Sequence, residues 1–577
     1  MRAGFTALLV LFAQAAFADV GYEERLVQWA LNLHQRELEP SPEGKTLEEV
    51  LIASEEVFAP SDPYPSWFNA VHMRTREVVI RRELLFAQGE AFDSKKVAET
   101  ERNLRSLFIF SIAKVLPVKG KRGGVALLVV TQDRWSLRLN SEFNVVGPLL
   151  QFLRLRPTEQ NFLGLNQQVL LDLVLRLDTL SVGQLYQDRR FLGSELSFGE
   201  TAAIILNRQT GEPEGSAGAV VLGKPLFHLE SRWGFSVGAD WSVRTRRIFR
   251  GAEVWQLPYP NEEAPLSQVP YIYLQRVAGW NALYTRSFGR ALKADVSAGV
   301  GGFFRRYAPP LALGLDPAQS AWFASEYLPR SEDASFLQAS VAAYVPDYRV
   351  LRDVDTFELS EDVQVGPSAY LAARWAHPAF FSPSRFVELG ARLRYQLLAA
   401  DDLATLTVAG ASRYLPGEAR WVNQRLAAEV KNVTPQTFLG RLVTRAVVDL
   451  TRERLDNRQA LLGGGNGLRG AAPESLAGRN YFLANVEWRS RSFEVKTLFL
   501  GLVLFYDTGS AWDVAPAFTH TVGAGLRLLI PQFNQETIRV DVGWVLSQPA
   551  GFSIDRFSGS FGQVTDYRPA FLDQPLE

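Results

Sequence analysis

From about Trp135 onward, apolar and polar positions alternate with a period of two. Leu171, Leu173, Leu175 and Leu177 alternate with Asp172, Val174, Arg176 and Asp178. Trp233, Phe235, Val237, Ala239, Trp241 and Val243 alternate with Gly234, Ser236, Gly238, Asp240 and Ser242. The same holds for Val387 to Leu397, with Glu388, Arg392, Arg394 and Gln396 between, and for Ile538 to Trp544, with Arg539, Asp541 and Gly543 between. This period assigns strands with one apolar face and one face carrying charges of both signs.

A soluble β-sandwich alternates as well, but three features favour a transmembrane barrel. The pattern runs for more than four hundred residues. Aromatic residues recur near segment ends ("RWGF", "EWRS", "AWDV"), as interface girdles require. Opposite charges share the polar face, which suits a water-filled lumen. At roughly 9–11 residues per strand plus connections, an antiparallel barrel of sixteen strands fits if several loops are long. Ala252–Gln275 and Arg305–Ser335, both Pro-rich, are the expected long extracellular loops.

Before Trp135 the period changes. "YEERLVQWALNLHQR", Tyr22 to Arg36, has helical spacing with Leu26, Ala30 and Leu33 on one stripe, followed by a hinge, "EPSPEGK". "TLEEVLIASEEVF" reads as a strand. "TREVVIRRELLFAQGEAFDSKKVAETERNLRSL" reads as two helices broken at Gly89, the second capped by Asp93 or Ser94 and burying Val97, Leu104 and Leu107. "FIFSIAKVLPVKG" and "GGVALLVVTQDRW" are two further strands. The order strand, helix, helix, strand, strand makes a small α+β domain with helices on one side of a short sheet. Such a sheet has open edges, and an edge strand can pair with an incoming extended chain.

Composition then removes several kinds of chemistry. The 577-residue chain has no cysteine and a formal charge of -1. Disulfides and thiolate sites are excluded, and the charge balance argues against nucleic-acid binding. His34, His72, His228, His377 and His520 are scattered, so no metal or cofactor is expected. Arg2, the apolar run "AGFTALLVLFAQ" and Ala16-Phe17-Ala18 read as a secretory signal over residues 1–18. No later segment has the 18 or so consecutive apolar residues of a membrane helix.

"LLGGGNGLRGA", Leu461 to Ala471, is the most unusual stretch. A P-loop needs a lysine and a following Ser or Thr, and a dinucleotide fingerprint needs a strand leading into a helix. Neither is present: "NYFLANVEWRSR" downstream alternates as a strand. Parity turns Asn485, Glu487 and Arg489 toward the lumen, and Phe505, Asp507 and Gly509 with them, while Leu500, Leu502 and Leu504 face outward. An arginine folded into such an interior requires a carboxylate partner.

These motifs resemble the BamA/TamA-type outer-membrane assembly and transport superfamily, in which periplasmic POTRA domains precede a sixteen-stranded bacterial surface antigen barrel. "GGGNGLRGA" is similar to its loop-six motif, "NYFLANVEWR" and "FYDTGSAW" to the strands that follow, and "EQNFLGLNQQ" and "YQDRRFLGSELSF" to early barrel strands. "VVIRRELLFAQGEAFDSKKVAETERNLRSLFIF" resembles the helical half of a POTRA domain. The resemblance implies a signal peptide at 1–18, a helical segment and hinge at 19–45, a POTRA-like periplasmic domain at 46–136 and a barrel at 137–577, with loop six at about 461–480. It implies that the loop tip, Gly467, Leu468, Arg469 and Gly470, is held in the lumen by Phe505, Asp507 and Gly509, with Glu487 and Arg489 beside it. Ala471 stands where the family has Phe or Tyr, only one POTRA-like domain is visible, and "TDYRPAFLDQPLE" follows the closing strand "FSGSFGQV".

The implied function is assembly, insertion or translocation of client polypeptides at the outer membrane. Its partners would be outer-membrane lipid and lipopolysaccharide, an unfolded or extended client at the POTRA edge, and periplasmic or lipoprotein accessory subunits. No catalytic set is expected, and no G-x-S-x-G elbow of a fused lipase is found. The alternatives are a two-partner-type secretion pore plugged by the Tyr22–Arg36 helix, and a passive porin-like barrel.

Overall fold

A computed structural model divides the chain between Arg134 and Trp135. It describes residues 22–58, 66–146, 149–176, 178–250, 253–260, 268–464, 467–472, 475–495, 497–533, 537–546, 556–561, 572–573 and 575–576. The expected signal peptide lies outside the described residues.

In the N-terminal unit, β1 (Leu47–Glu55), β2 (Phe110–Lys119) and β3 (Val125–Asp133) form a sheet ordered β1-β3-β2. β1 is parallel to β3, and β2 is antiparallel to it. All nine residues of β3 are buried, so both faces of the sheet are covered. On one face lie α2 (Glu77–Arg82) and α3 (Ser94–Arg105), where Ile80, Val97, Leu104 and Leu107 pack on Leu47, Val115, Leu127 and Val129. Asp93 caps α3 by accepting the Lys95 N–H at 2.8 Å.

The first of these helices ends at Arg82, short of the expected break at Gly89. The chain is needed elsewhere: the Leu47 N–H donates to the Glu90 carbonyl and the Gly89 N–H to the Leu47 carbonyl, both at 2.8 Å. Residues 89–92 thus extend the start of β1 rather than a helix.

The helices are not confined to one side. α1 (Tyr22–His34) lies against β1 and β3 and buries Leu26, Ala30 and Leu31, while Leu33 is 58% exposed. Alternate β3 residues Ala126, Leu128 and Val130 are also buried. The N-terminal helix is therefore an integral layer of this unit, and the expected boundary at residue 46 falls inside it. The chain then runs along the β2 edge. The Glu39 N–H donates to the Pro117 carbonyl and the Lys119 N–H to the Glu37 carbonyl, each at 3.0 Å. Further along, the Val115 N–H donates to the Glu101 carboxylate at 3.0 Å. Of the two edges expected to be open, the β2 edge is occupied by the chain itself.

The second unit is a closed antiparallel barrel. Among the described residues its ring contains twenty-two strand segments. Glu332–Tyr344 and Asp347–Leu351 run along one neighbour, as do Asn480–Arg489 and Phe493–Val495. Each pair is one interrupted strand, which leaves twenty strands rather than the expected sixteen. The lower figure assumed more loop. Among the described residues three connections are long, 248–271, 309–331 and 453–479.

Alternation holds around the wall. Leu389, Leu393, Leu397, Leu502, Leu504 and Leu526 point outward and are exposed, while Glu429, Arg445, Glu487 and Asp507 point inward and are buried. At the end opposite Leu137, the connections 248–271 and 309–331 pack together through Tyr271, Tyr273, Trp322, Phe323 and Tyr327. At the Leu137 end, residues 352–360 fold into the lumen. There the Asp355 carboxylate meets Lys431 at 3.1 Å, and Phe357 lies against Gly501, where a Cβ would come within 2.6 Å of its ring.

Candidate functional site

Loop 453–479 leaves the Arg441–Arg452 strand and makes a short hairpin, Ala460–Leu462 with Leu476–Gly478. Between these arms the chain turns into the lumen. Gly470 adopts φ +79°, and a Cβ there would lie 2.4 Å from the Gly543 carbonyl carbon. The loop tip thus rests on the bare backbone of the Ile538–Val545 strand, a position that excludes a side chain on either residue. Leu468 and Ala471 pack with Val447, Leu462, Tyr481 and Leu483.

That packing presents Arg469 to the wall. Its Nε and Nη2 donate to the two Asp507 oxygens at 2.8 and 2.7 Å, a bidentate pair, and its backbone N–H reaches Asp507 Oδ2 at 3.2 Å. Its Nη1 donates to Glu487 Oε1 at 2.6 Å. The guanidinium lies over the Phe505 ring, 3.6 Å from the centroid. Asn485 Nδ2 donates to both the Gly467 carbonyl, at 2.7 Å, and Asp507 Oδ1, at 2.8 Å.

The network continues past the loop. The Arg489 Nε donates to Glu487 Oε2 at 2.9 Å, and its Nη1 reaches the Val354 carbonyl at 2.9 Å, in the inward-folded connection. Arg527 and Arg539 meet Asp541 at 2.7 and 3.4 Å, and Asp541 lies 4.0 Å from Arg469. Arg469 is 1% exposed, and Glu487 and Asp507 are fully buried. Withdrawing such charges from water is costly unless each finds partners, and forked guanidinium–carboxylate pairs supply them. The arrangement is a latch, in which removing one member leaves others buried and uncompensated.

The structure brings Gly467, Leu468, Arg469, Gly470, Phe505, Asp507, Glu487 and Arg489 together. Gly509 also faces inward but lies apart from the guanidinium, with Leu483 and Leu462 above it at 3.4 and 3.6 Å from a Cβ position. Arg527, Arg539, Asp541 and Gly543 were not among the expected site residues. Three of them, Arg539, Asp541 and Gly543, occupy the inward parity of "IRVDVGW", so their direction could be read, though not their nearness to the loop. Among the described residues no group of three His, Asp or Glu is placed to hold a metal ion.

No family model matches the chain, and no curated protein does. Solved structures with similarity include CdiB from Escherichia coli, at 11% identity over 91% of this chain and 79% of that one, with a TM-score of 0.43. CdiB from Acinetobacter baumannii is 11% identical over 90% of this chain and 73% of that one, with a TM-score of 0.39. BamA from Haemophilus ducreyi lacking POTRA domains 1-3 is 12% identical over 89% and 84%, with a TM-score of 0.34.

Proposed function

We propose that this chain is an outer-membrane β-barrel that assembles and inserts client polypeptides by opening between its first and last strands. The observation that carries the reading is the seam. Among the described residues, Leu137–Val146 and Arg556–Phe561 share four Cα pairs, from Arg556↔Val146 to Gly559↔Phe143. Ile272–Phe288 and Lys293–Ala308 share fifteen. A short ladder opens at the lowest cost and exposes two unpaired edges that template an incoming strand. The Arg469 latch stiffens the strands on the C-terminal side of the seam while it parts.

The β2 edge of the POTRA-like unit is covered by residues 37–39, so client capture there requires those residues to peel away. In this reading the N-terminal unit lies in the periplasm and the outer barrel face meets lipid and lipopolysaccharide, with accessory subunits docking on the periplasmic unit. A pore plugged by the Tyr22–Arg36 helix is disfavoured, because α1 covers the sheet of its own unit. A passive porin is disfavoured by the lumen, which loop 453–479 and residues 352–360 occupy.

The test uses purified protein in liposomes, supplied with an unfolded outer-membrane barrel whose folding is followed by gel mobility against empty liposomes. Faster folding is expected. Phe143→Cys with Gly559→Cys, opposite one another in register, should abolish the acceleration when oxidised and restore it when reduced. Acceleration that survives the cross-link would remove the seam from the mechanism. No acceleration at all, with steady conductance, would make the chain a channel.

A further inference from the structure

The lumen wall formed by Phe386–Ala399, Asp402–Leu415 and Arg420–Val433 carries charge of both signs, through Glu388, Arg394, Arg413, Arg425, Glu429 and Lys431. At mid-height this charge gives way to four small residues. Gly390 pairs with Ala411, and Ala409 pairs with Ala427 in the adjoining register, all on inward positions. They form a shallow apolar shelf in a polar channel, bordered by Arg392.

Leu572, Asp573, Pro575 and Leu576 of the same chain, beyond the last barrel strand, lie on that shelf. Leu572 is 0% exposed and packs on Ala409 and Ala427, with Ala411 beside them. Leu576 and Pro575 cover Gly390, where a Cβ would come within 2.7 and 3.4 Å of them. The Arg392 Nη1 donates to the Asp573 carbonyl at 2.8 Å, and its guanidinium lies 3.9 Å from the Asp573 carboxylate.

This mode of contact is undemanding. It reads two aliphatic side chains four residues apart, brought to one side by a turn, and one backbone carbonyl, features that many polypeptides share. Apolar side chains enter a charged aqueous lumen favourably only where the wall offers apolar surface. The absence of large side chains at four adjoining inward positions supplies that surface, and Leu572 is fully buried on it.

We propose that this shelf is a binding site for a client segment that presents two aliphatic side chains four residues apart from a turn, and that Leu572, Asp573, Pro575 and Leu576 occupy it until a client displaces them. The client's identity as a polypeptide rests on the assembly reading above. Bound client would contact Arg392 through its backbone, so side-chain sequence outside the two aliphatic positions matters little.

The experiment measures fluorescence anisotropy of a labelled peptide with the sequence of residues 566–577. The receptors are the purified full chain and a chain ending at Thr565. Saturable binding is expected to the shortened chain and at least about tenfold weaker binding to the full chain, whose own segment competes. Gly390→Val in the shortened chain should abolish binding, as should Asp at both leucine positions of the peptide. If the shortened chain does not fold, as judged by heat-modifiable gel mobility, the full chain carrying Leu572→Asp and Leu576→Asp frees the shelf with the chain length intact. Failure of the freed shelf to bind, or equal binding after Gly390→Val, would overturn the site. Unfolded outer-membrane barrel protein should compete with the peptide, and absence of competition would overturn its assignment to clients. Peptide binding is read without any client folding, so a chain that binds the peptide and does not accelerate folding would refute the assembly reading alone.

Discussion

Arg469→Ala isolates the latch. In the native lumen, Asp507 accepts three hydrogen bonds from Arg469 and one from Asn485, and Glu487 is shared between Arg469 and Arg489. Truncating the arginine leaves Asp507 buried with two neutral donors, the backbone N–H of residue 469 and Asn485 Nδ2, and no cation in the fork. Breaking a buried pair by removing one partner costs about 3–5 kcal/mol. That loss falls on the docked state of loop 453–479, because in the undocked state water solvates the carboxylates. At about 1.4 kcal/mol per decade, the undocked population rises by roughly two to nearly four orders of magnitude.

The reporter is Ala471→Cys, buried beside the latch in a chain without native cysteine. Its modification by a water-soluble maleimide is proportional to the undocked population when opening is fast relative to labelling. Arg469→Ala in this background should accelerate labelling by at least about a hundredfold. Arg469→Lys keeps the charge and loses the fork, so it should fall between. Labelling of the alanine variant within threefold of the parent, in protein that still shows folded gel mobility, would refute the argument.

Three further outcomes follow from the same geometry. Arg469→Asp combined with Asp507→Arg should recover part of the protection that either change loses; a double variant no better than the worse single would mean the two are not coupled. Gly543→Val places a side chain about where Gly470 sits, since even a Cβ would be 3.0 Å from its Cα, and should speed Ala471→Cys labelling as Arg469→Ala does. Gly509→Ala, with 3.4 Å of clearance to Leu483, should leave it unchanged, and equal effects from the two would remove the close-approach argument. In the N-terminal unit, Glu39→Pro deletes the donor to Pro117 at a cost of about 1 kcal/mol. Amide hydrogen exchange of residues 110–119 in the intact chain should quicken, and unchanged exchange would show that residues 37–39 do not hold that edge.

Much of this was legible because strand parity is a local property. A two-residue period sends Asp507 and Glu487 inward whatever their neighbours are, and Asp93 caps α3 through its side chain, on an N–H two residues along. Strand number was not legible, because it depends on how much chain each connection consumes, and a polar run does not reveal whether it turns at once or wanders. The burial of Leu31 rather than Leu33 on α1 depends on where the sheet lies, and stripes three and four residues apart do not distinguish them. Arg527 and Asp541 belong to the latch only because the strands that carry them lie beneath the returning loop. Residues 572–576 have no period of their own, and the shelf that receives them is composed of glycine and alanine, whose signal is the side chains they lack.

Arg489 has a consequence for how many conformations the barrel can occupy. Its guanidinium donates both to Glu487, which holds the loop descending from one rim, and to the Val354 carbonyl, in the connection rising from the other. Two independent doors would give four combinations of open and shut. Glu487 and Arg489 share one wall strand and stay paired whichever door moves, so what the doors have in common is this pair. Lifting loop 453–479 takes Arg469 from Glu487, and withdrawing residues 352–360 takes the Val354 carbonyl from Arg489. A disturbance at either mouth therefore changes the charge balance of the same two side chains.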